Sequence, residues 1–312
     1  MRNKLVIIVG PTAVGKTHIS VETAKLMDTE VISADAMQIY IGMDIGTAKI
    51  HEDEKQGIPH HMIDLVYPNE KFTVSDFKTR SKSIIEGLHL NGKIPVIAGG
   101  TGLYVNSLIY NLNFSNTISD VAVRSELTQL LEVKGKEHLH SLLASFDPIS
   151  AERIHMNNVK RVMRALEVYY ITGVPFSESN TDFREESDDY DFVLIGLEMD
   201  RQLLYNRINQ RVDDMVNNGL IEEVVGLRAL GYDRDLISMQ AIGYKEIIQY
   251  LDHEITLEES LRLMKRNTRR LAKRQFTWFK ADNRIKWIGV DPLNIDYTTR
   301  NVQNYLSERG IT

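Results

Sequence analysis

The residues GPTAVGKT, positions 10 to 17, have the types and spacing of a loop that binds a chain of phosphates. They match G-x-x-x-x-G-K-[ST] and lie between an apolar run and a helical pattern, which is the context that the motif requires. Gly10 and Gly15 permit backbone conformations that let the loop amides point at phosphate oxygens. Lys16 supplies a positive charge, and Thr17 a hydroxyl for Mg²⁺. The residues expected to contact a di- or triphosphate are Gly10, Pro11, Thr12, Ala13, Val14, Gly15, Lys16 and Thr17.

One carboxylate, Asp35, ends the second apolar run of the chain, EVISAD. In a nucleotide kinase a carboxylate is expected after the third strand, where it holds the metal. Here that run continues as IPVIAGGTGLY and contains no acid. Asp35 could act as a general base on a nucleophile, or it could only cap the stretch that follows it. From the residues alone, a P-loop kinase of a small acceptor and a nucleotide-dependent RNA-binding switch stay open beside a group transfer.

Three short apolar runs, LVIIV, EVISAD and IPVIA, predict buried strands. The stretches between them have helical patterns, and in one of these Thr73 and Asp76 have the spacing of a capping box. This alternation predicts a parallel sheet with right-handed crossovers, which binds its ligands at the carboxyl ends of the strands. We therefore predict an α/β fold with a P-loop NTPase-like parallel sheet flanked by helices.

The pattern becomes helical in the middle of the chain. We predict that residues 116–187 form an inserted all-helical domain that contacts a substrate of the P-loop core. Residues 1–115 and 188–312 are predicted to form that core with its C-terminal helices. In the C-terminal part, SMQAIGYKEIIQYL is predicted as one helix, and a long basic helix is predicted from Thr256 to about Asp282.

The bulk composition narrows the class of protein. The 312 residues include no cysteine, which excludes disulfides and thiolate metal sites and suggests a cytoplasmic location. No apolar run approaches the length that spans a bilayer, so we expect no membrane partner. No long exposed apolar stripe demands a dimer, so we expect a monomer. The net charge is −6, yet residues 262–280 carry eight basic residues and no acid, which indicates a polyanionic partner.

The combination of motifs resembles the bacterial tRNA dimethylallyltransferases, also called tRNA isopentenyltransferases. The resemblance covers nearly the whole chain, from Lys4 to about Phe279, and its departures are small: Ala36 stands where the family often has serine, and Ile41 where it often has arginine. The motifs that carry it, in the family's order, are GPTAVGKT, SADAMQIYIGMDIGTAK, PHHMIDL, GGTGLY, RALEVYYITG, QAIGYKE and RQFTWF.

The resemblance implies a reaction and its ligands. The loop would hold the diphosphate of dimethylallyl diphosphate, with Mg²⁺ as cofactor, and the acceptor would be the exocyclic amine of the adenine just 3′ of the anticodon in tRNA. Asp35 would take the proton of that amine, and Arg211 would reach the diphosphate with Arg207 nearby. These arginines are four residues apart and share one helix face, although an ordinary solvated face is the alternative.

Further residues are expected to contact the tRNA anticodon loop. Thr101 fits a hydroxyl that bonds Asp35 or the bridging oxygen, and Gln38 could read the edge of an adenine. Two basic surfaces, around Lys160 and on the helix from Arg262 onwards, are expected to dock the RNA. The full set of expected tRNA-binding residues is Asp35, Ala36, Met37, Gln38, Thr101, Val159, Lys160, Arg161, Arg164, Gln240, Lys245, Arg269, Arg270 and Arg274. Phe276, Trp278 and Phe279 are expected in the core rather than as stacking platforms.

Overall fold

The computed structural model describes residues 3–112, 120–179 and 185–311. They form two compact units, one from Met1–Ile109 with Ser187–Thr312 and one from Tyr110–Glu186. The start of the expected insertion and part of its acidic end lie outside the described residues. The elements, in chain order, are β1 (Asn3–Val9), α1 (Lys16–Leu26), β2 (Val31–Ala34), α2 (Glu52–Lys55), β3 (His60–His61), α3 (Val74–Leu90), β4 (Val96–Gly99), α4 (Gly102–Ile109), α5 (Val121–Phe146), α6 (Pro148–Arg153), α7 (Val159–Thr172), α8 (Phe176–Ser179), β5 (Tyr190–Glu198), α9 (Arg201–Asn217), α10 (Leu220–Ala229), a 3₁₀ turn (Ser238–Gln240), α11 (Tyr244–Leu251), α12 (Leu257–Lys280), β6 (Lys286–Gly289) and α13 (Ile295–Glu308).

The first unit is built on one sheet, in which the described residues form six parallel strands in the order β3-β2-β4-β1-β5-β6. Leu5 to Val9 of β1 are buried on both faces, as a central strand between two helical layers must be. Val9 pairs with Gly99 on one side and with Gly196 on the other, and Gly99 pairs with Ala34. The predicted parallel α/β sheet is confirmed. Because β1, β2 and β4 end at the same level, the loops that follow them begin side by side at one edge of the sheet.

The second unit contains α5 to α8, with its own core around Leu139, Leu143 and Leu166. α5 is broken at Gly135, whose φ of 80° is not helical. Among the described residues of both units, no helix is long and apolar enough to cross a membrane.

Two local expectations are corrected by the structure. The single helix expected over residues 238–251 is a short 3₁₀ turn followed by α11. The reason is Gly243, which has φ 103° and whose amide donates to the Glu246 carboxylate at 2.8 Å, so that it caps a new helix instead of continuing the old one. Trp278, expected in the core, is 44% exposed, whereas Phe279 is buried.

The expected capping box at the start of α3 is present. Thr73 Oγ1 accepts from the amide of Asp76 at 3.2 Å, and the amide of Thr73 donates to the Asp76 carboxylate at 2.8 Å. Both bonds satisfy amides that the helix itself leaves without partners.

We predict that Thr73→Ala lowers the free energy of unfolding by about 1 kcal/mol, because it removes the acceptor for the Asp76 amide. Thr73→Ser keeps the hydroxyl and is the matched control. Urea denaturation followed by circular dichroism measures both variants. Equal stability of the alanine and serine variants would contradict the role assigned to the cap.

Candidate active site

The loop between β1 and α1 has the backbone of an anion cradle. Gly15, at the N-cap of α1, has φ 108°, and no side chain caps the helix there. The first amides of α1, with the positive end of its dipole, are therefore left for a ligand. Gly10 is required by close packing, since a Cβ atom there would lie 2.7 Å from the carbonyl oxygen of Leu197.

Lys16 lies inside this loop. Its ammonium donates to the carbonyl oxygens of Gly10 at 3.0 Å and Pro11 at 2.8 Å. The pKa of Lys16 is lowered to about 8, chiefly by burial; the negative charge of Asp35 raises it in part, and the positive charge of Arg211 lowers it. The side chain is thus held beside both Arg211 and Asp35, and its charge is only partly compensated.

Two arginines of α9 complete the cationic cluster, one turn of helix apart. Arg207 donates from Nε to the carbonyl oxygen of Ala13 at 3.1 Å, so that it touches the loop itself. Arg211 has no ion pair with any residue that the structure describes. Burial lowers the pKa of Arg211, and the charge of Arg207 adds to this effect. Arg207 is exposed and Arg211, like Lys16, is half-buried. Cations that are partly removed from water and repel each other have the electrostatics of an anion site.

Asp35 and Thr101 lie at the ends of β2 and β4. One oxygen of Asp35 accepts from the amide of Met37 at 2.9 Å, and no helix follows, so the alternative of a helix cap is wrong. Thr101 Oγ1 accepts from the amide of Ala36 at 3.0 Å, and the Thr101 amide donates to Ala34 O at 3.1 Å. The Thr101 hydroxyl therefore contacts the backbone next to Asp35 and keeps its own proton to donate.

Gln275 of α12 connects the phosphate loop to the glycine loop after β4. Its Oε1 accepts from the amide of Thr12 at 2.8 Å, and its Nε2 donates to the carbonyl of Gly100 at 3.1 Å. The Thr12 amide, which was expected to contact phosphate, is therefore used by the protein. Gln275 was not among the residues expected at the site; its only signal in the sequence was its place in the motif RQFTWF.

The segment after Asp35 is held by internal bonds. The side-chain amide of Gln38 was expected to read adenine. Its Oε1 accepts from Ser33 Oγ at 3.0 Å, and its Nε2 donates to the Ala48 carbonyl at 3.2 Å. Glu223 accepts from three successive loop amides, those of Asp44, Ile45 and Gly46, at 2.7 to 3.2 Å. Glu223 was missed by the sequence analysis, because a helix-face glutamate carries no local signal for a contact so distant in the chain.

The basic residues of α12 separate into two groups. Some are tied to neighbouring elements: Arg269 donates to Asn209 Oδ1 at 2.5 Å and lies over the Tyr205 ring, and Arg262 pairs with Glu259 at 2.6 Å. Others are exposed and have no ion pair within residues 3–112, 120–179 and 185–311. These exposed residues are Arg270, Lys273 and Arg274.

The remaining expected RNA contacts differ in the same way. On α7, Lys160 and Arg161 are exposed and Val159 is half-buried at the first turn. Arg164 is instead held at 2.8 Å by Glu167, a buried carboxylate that also binds Arg124.

In the motif QAIGYKE, Gln240 is exposed and donates to the carbonyl of Arg234. Lys245 is half-buried and lies 3.6 Å from the Glu246 carboxylate. As RNA contacts, both residues stay predictions.

The side chains around the phosphate loop fit Mg²⁺ better than a metal ion that is coordinated only by protein side chains. Among the described residues, no three His, Asp or Glu side chains are grouped to hold an ion. Mg²⁺ keeps several waters and is usually bound by one or two side chains together with phosphate oxygens. Thr17, exposed at the start of α1, offers a hydroxyl for such a site.

Comparison with known proteins gives concordant matches. Residues 38–282 match the family model described as IPP transferase, and residues 3–66 match the one described as isopentenyl transferase. The chain is 50% identical over 310 residues to a tRNA dimethylallyltransferase of Acetivibrio thermocellus, covering 99% of each.

Two solved structures are similar over most of the chain. One is the full-length tRNA isopentenylpyrophosphate transferase from Bacillus halodurans, with TM-score 0.73 and 46% identity, covering 98% of this chain and 96% of that one. The other is a eukaryotic dimethylallyltransferase described as acting on tRNA, with TM-score 0.81 and 30% identity, covering 97% of this chain and 78% of that one.

We predict that the wild-type protein loses affinity for inorganic pyrophosphate as the pH rises through about 8, and that it loses more affinity than the Lys16→Arg variant does. The lowered pKa means that the free protein loses the Lys16 proton in this range, whereas an arginine stays charged. Pyrophosphate titrates too, so the ratio of the two dissociation constants, measured by calorimetry, isolates the lysine. A ratio that does not change with pH would contradict this assignment.

Proposed function

Because this chain belongs to the IPP transferase family, we propose that it transfers a dimethylallyl group from dimethylallyl diphosphate to tRNA, at the exocyclic amine of the adenine 3′ of the anticodon, and releases diphosphate. The observation that carries the proposal is the juxtaposition of two half-buried cations, Lys16 and Arg211, with one carboxylate, Asp35. A cradle and a base are what an allylic diphosphate and an amine require. A cytoplasmic location, where tRNA is available as acceptor, is part of this proposal.

The cationic cluster would bind the leaving group. When the allylic C–O bond breaks, the diphosphate carries away the electron pair, and negative charge grows on the oxygen that leaves the allyl carbon. Lys16, Arg211 and the uncapped amides of α1 are oriented before the reaction, so they stabilise this charge without reorganisation; each such donor typically contributes about 10²–10³ in rate. Mg²⁺, held by Thr17 and the diphosphate, would supply further positive charge.

Asp35 would act on the other partner. The exocyclic amine of adenine is a poor nucleophile because its lone pair is conjugated with the ring. As the new C–N bond forms, the amine must lose a proton, and Asp35 has one oxygen that its Met37 contact leaves available. The Thr101 hydroxyl can donate to Asp35 or to the departing oxygen. The adenine must leave the stack of the anticodon loop to reach this site.

We predict that Asp35→Asn lowers prenyl transfer by about 10²–10⁴, because the amide cannot accept the proton. The assay follows label from radiolabelled dimethylallyl diphosphate into unmodified tRNA with Mg²⁺, and pyrophosphate affinity should survive the substitution. Asp296→Asn, an exposed aspartate in the first turn of α13, is the control. Near-normal turnover of the Asp35 variant would refute its role as base.

The same assay separates the alternatives. ATP is supplied in a parallel reaction, and phosphate release from it in place of prenyl transfer would support a kinase or a nucleotide-dependent switch. No carboxylate follows β4, where a kinase would hold its metal, and this counts against the kinase.

The exposed basic residues would dock the RNA backbone. On α12 these are Arg270, Lys273 and Arg274, and on α7 they are Lys160 and Arg161. Cations without carboxylate partners can neutralise phosphates and release counterions, whereas cations already paired within the protein contribute less. Arg164 and Arg269, which are bound by Glu167 and Asn209, are for this reason the weaker candidates.

We predict that Arg270→Ala and Arg274→Ala each weaken tRNA binding and reduce the salt dependence of log K by about one unit of slope. Arg262→Ala on the same helix is the control, since Arg262 is engaged by Glu259. Fluorescence anisotropy over a range of salt concentrations measures all three. A slope that is unchanged in both variants would remove α12 from the RNA interface.

A further inference from the structure

We propose that Gln275 is a positioning residue, which sets the distance between the diphosphate cradle and the Asp35 base by holding one loop with each end of its side-chain amide. The inference rests on the proposed function and concerns the same site. It starts from the two hydrogen bonds of this amide, to the Thr12 amide at 2.8 Å and to the Gly100 carbonyl at 3.1 Å.

These bonds are the middle of a continuous chain of contacts. On one side, Thr12 belongs to the loop whose carbonyls hold the Lys16 ammonium. On the other side, Gly100 precedes Thr101, which bonds the backbone on either side of Asp35 through Ala34 O at 3.1 Å and the Ala36 amide at 3.0 Å. One amide thus connects the group that meets the leaving diphosphate to the group that takes the proton.

The packing around Gln275 leaves it little freedom. A Cβ atom at Gly100 would lie 2.2 Å from Gln275 Nε2, and one at Gly102 would lie 2.3 Å from the Trp278 ring. The glycines therefore let α12 approach the loop closely enough for a direct hydrogen bond. This contact also explains why the half-exposed Trp278 lies against the glycine loop and not in the core.

α12 is itself anchored to the helix that carries the arginines of the cradle. Lys265 bonds Asp213 at 2.8 Å, and Arg269 bonds Asn209 at 2.5 Å, both on α9. These bonds fix the position of Gln275 relative to α9, the helix that also carries Arg207 and Arg211. A displacement of either loop relative to α9 would have to break the bonds of this amide.

An amide is the side chain that fits this position. It offers one acceptor and one donor, which match an N–H on one side and a carbonyl on the other. Glutamate would face the Gly100 carbonyl with a second acceptor and would bring a negative charge near the diphosphate. Methionine has a similar length but lacks both functions of the amide.

The first test compares Gln275→Met with Thr277→Ala, an exposed residue of the same helix that bonds only within it. If the spacing of the two loops is lost, we expect kcat for prenyl transfer to fall about 10²-fold, as misplacement of about 1 Å typically causes. The pyrophosphate dissociation constant should stay within about threefold, because Lys16, Arg207 and Arg211 remain. Unchanged kcat, or equal losses in kcat and pyrophosphate affinity, would overturn the proposal.

The second test is a double-mutant cycle that keeps the proposal falsifiable if one variant is merely unstable. Gly100→Ala alone should slow transfer, because the new Cβ would displace the amide of Gln275. In a Gln275→Ala background the obstacle is gone, so Gly100→Ala should add no further loss. Losses in kcat that multiply across the cycle would show that the two residues act independently and would overturn the inference.

The proposed function and the positioning role of Gln275 are overturned by different results. Wild-type protein that moves no label into tRNA overturns the proposed function, and the inference with it. Wild-type protein that transfers label at the same rate as Gln275→Met overturns the inference alone.

Discussion

Two like charges held close together, Lys16 of the phosphate loop and Arg211 of α9, are the constraint on which the site depends. Burial lowers the pKa of both residues; the charge of Arg211 also lowers that of Lys16, and the charge of Arg207 also lowers that of Arg211. Asp35 is close enough to offset part of this repulsion at Lys16, but it forms no ion pair with either residue in the described part of the chain. A folded protein keeps such an arrangement at some cost in stability. A polyanion would remove that cost on binding, and under the proposed function this would give the cradle its affinity for a diphosphate.

The sheet brings these charged residues together because its strands are parallel. Val9, Ala34 and Gly99 end neighbouring strands at the same level, so three loops emerge together. They also lie very close: a Cβ atom at Gly99 would be 2.2 Å from the carbonyl oxygen of Ala34. Strand ends so close leave room for backbone amides and small residues. Two larger side chains approach this edge from helices, Arg211 from α9 and Gln275 from α12.

Much of the fold could be predicted from local patterns. Continuous apolar runs indicated central strands, because only strands buried on both faces lack alternation. The Thr73–Asp76 spacing indicated where α3 begins, since a capping box acts within one turn. Prediction failed where a contact outside the window decided the outcome. Periodicity continued through Gly243 although the backbone there turns away from the helix, and Trp278 is placed by the glycine loop rather than by its hydrophobicity.

By itself the sequence indicated a phosphate-loop motif, a carboxylate at the end of a strand and a parallel sheet, because each of these is a local pattern of residues. Only the tertiary structure decided which polar side chains are committed to the protein. Gln38 and Arg164 have the right types for RNA recognition, but they bond Ser33 and Glu167. Gln275, which has no distinctive spacing, joins two loops. Hydrogen bonds and ion pairs between distant segments depend on angstrom-scale packing, and a linear pattern does not encode that distance.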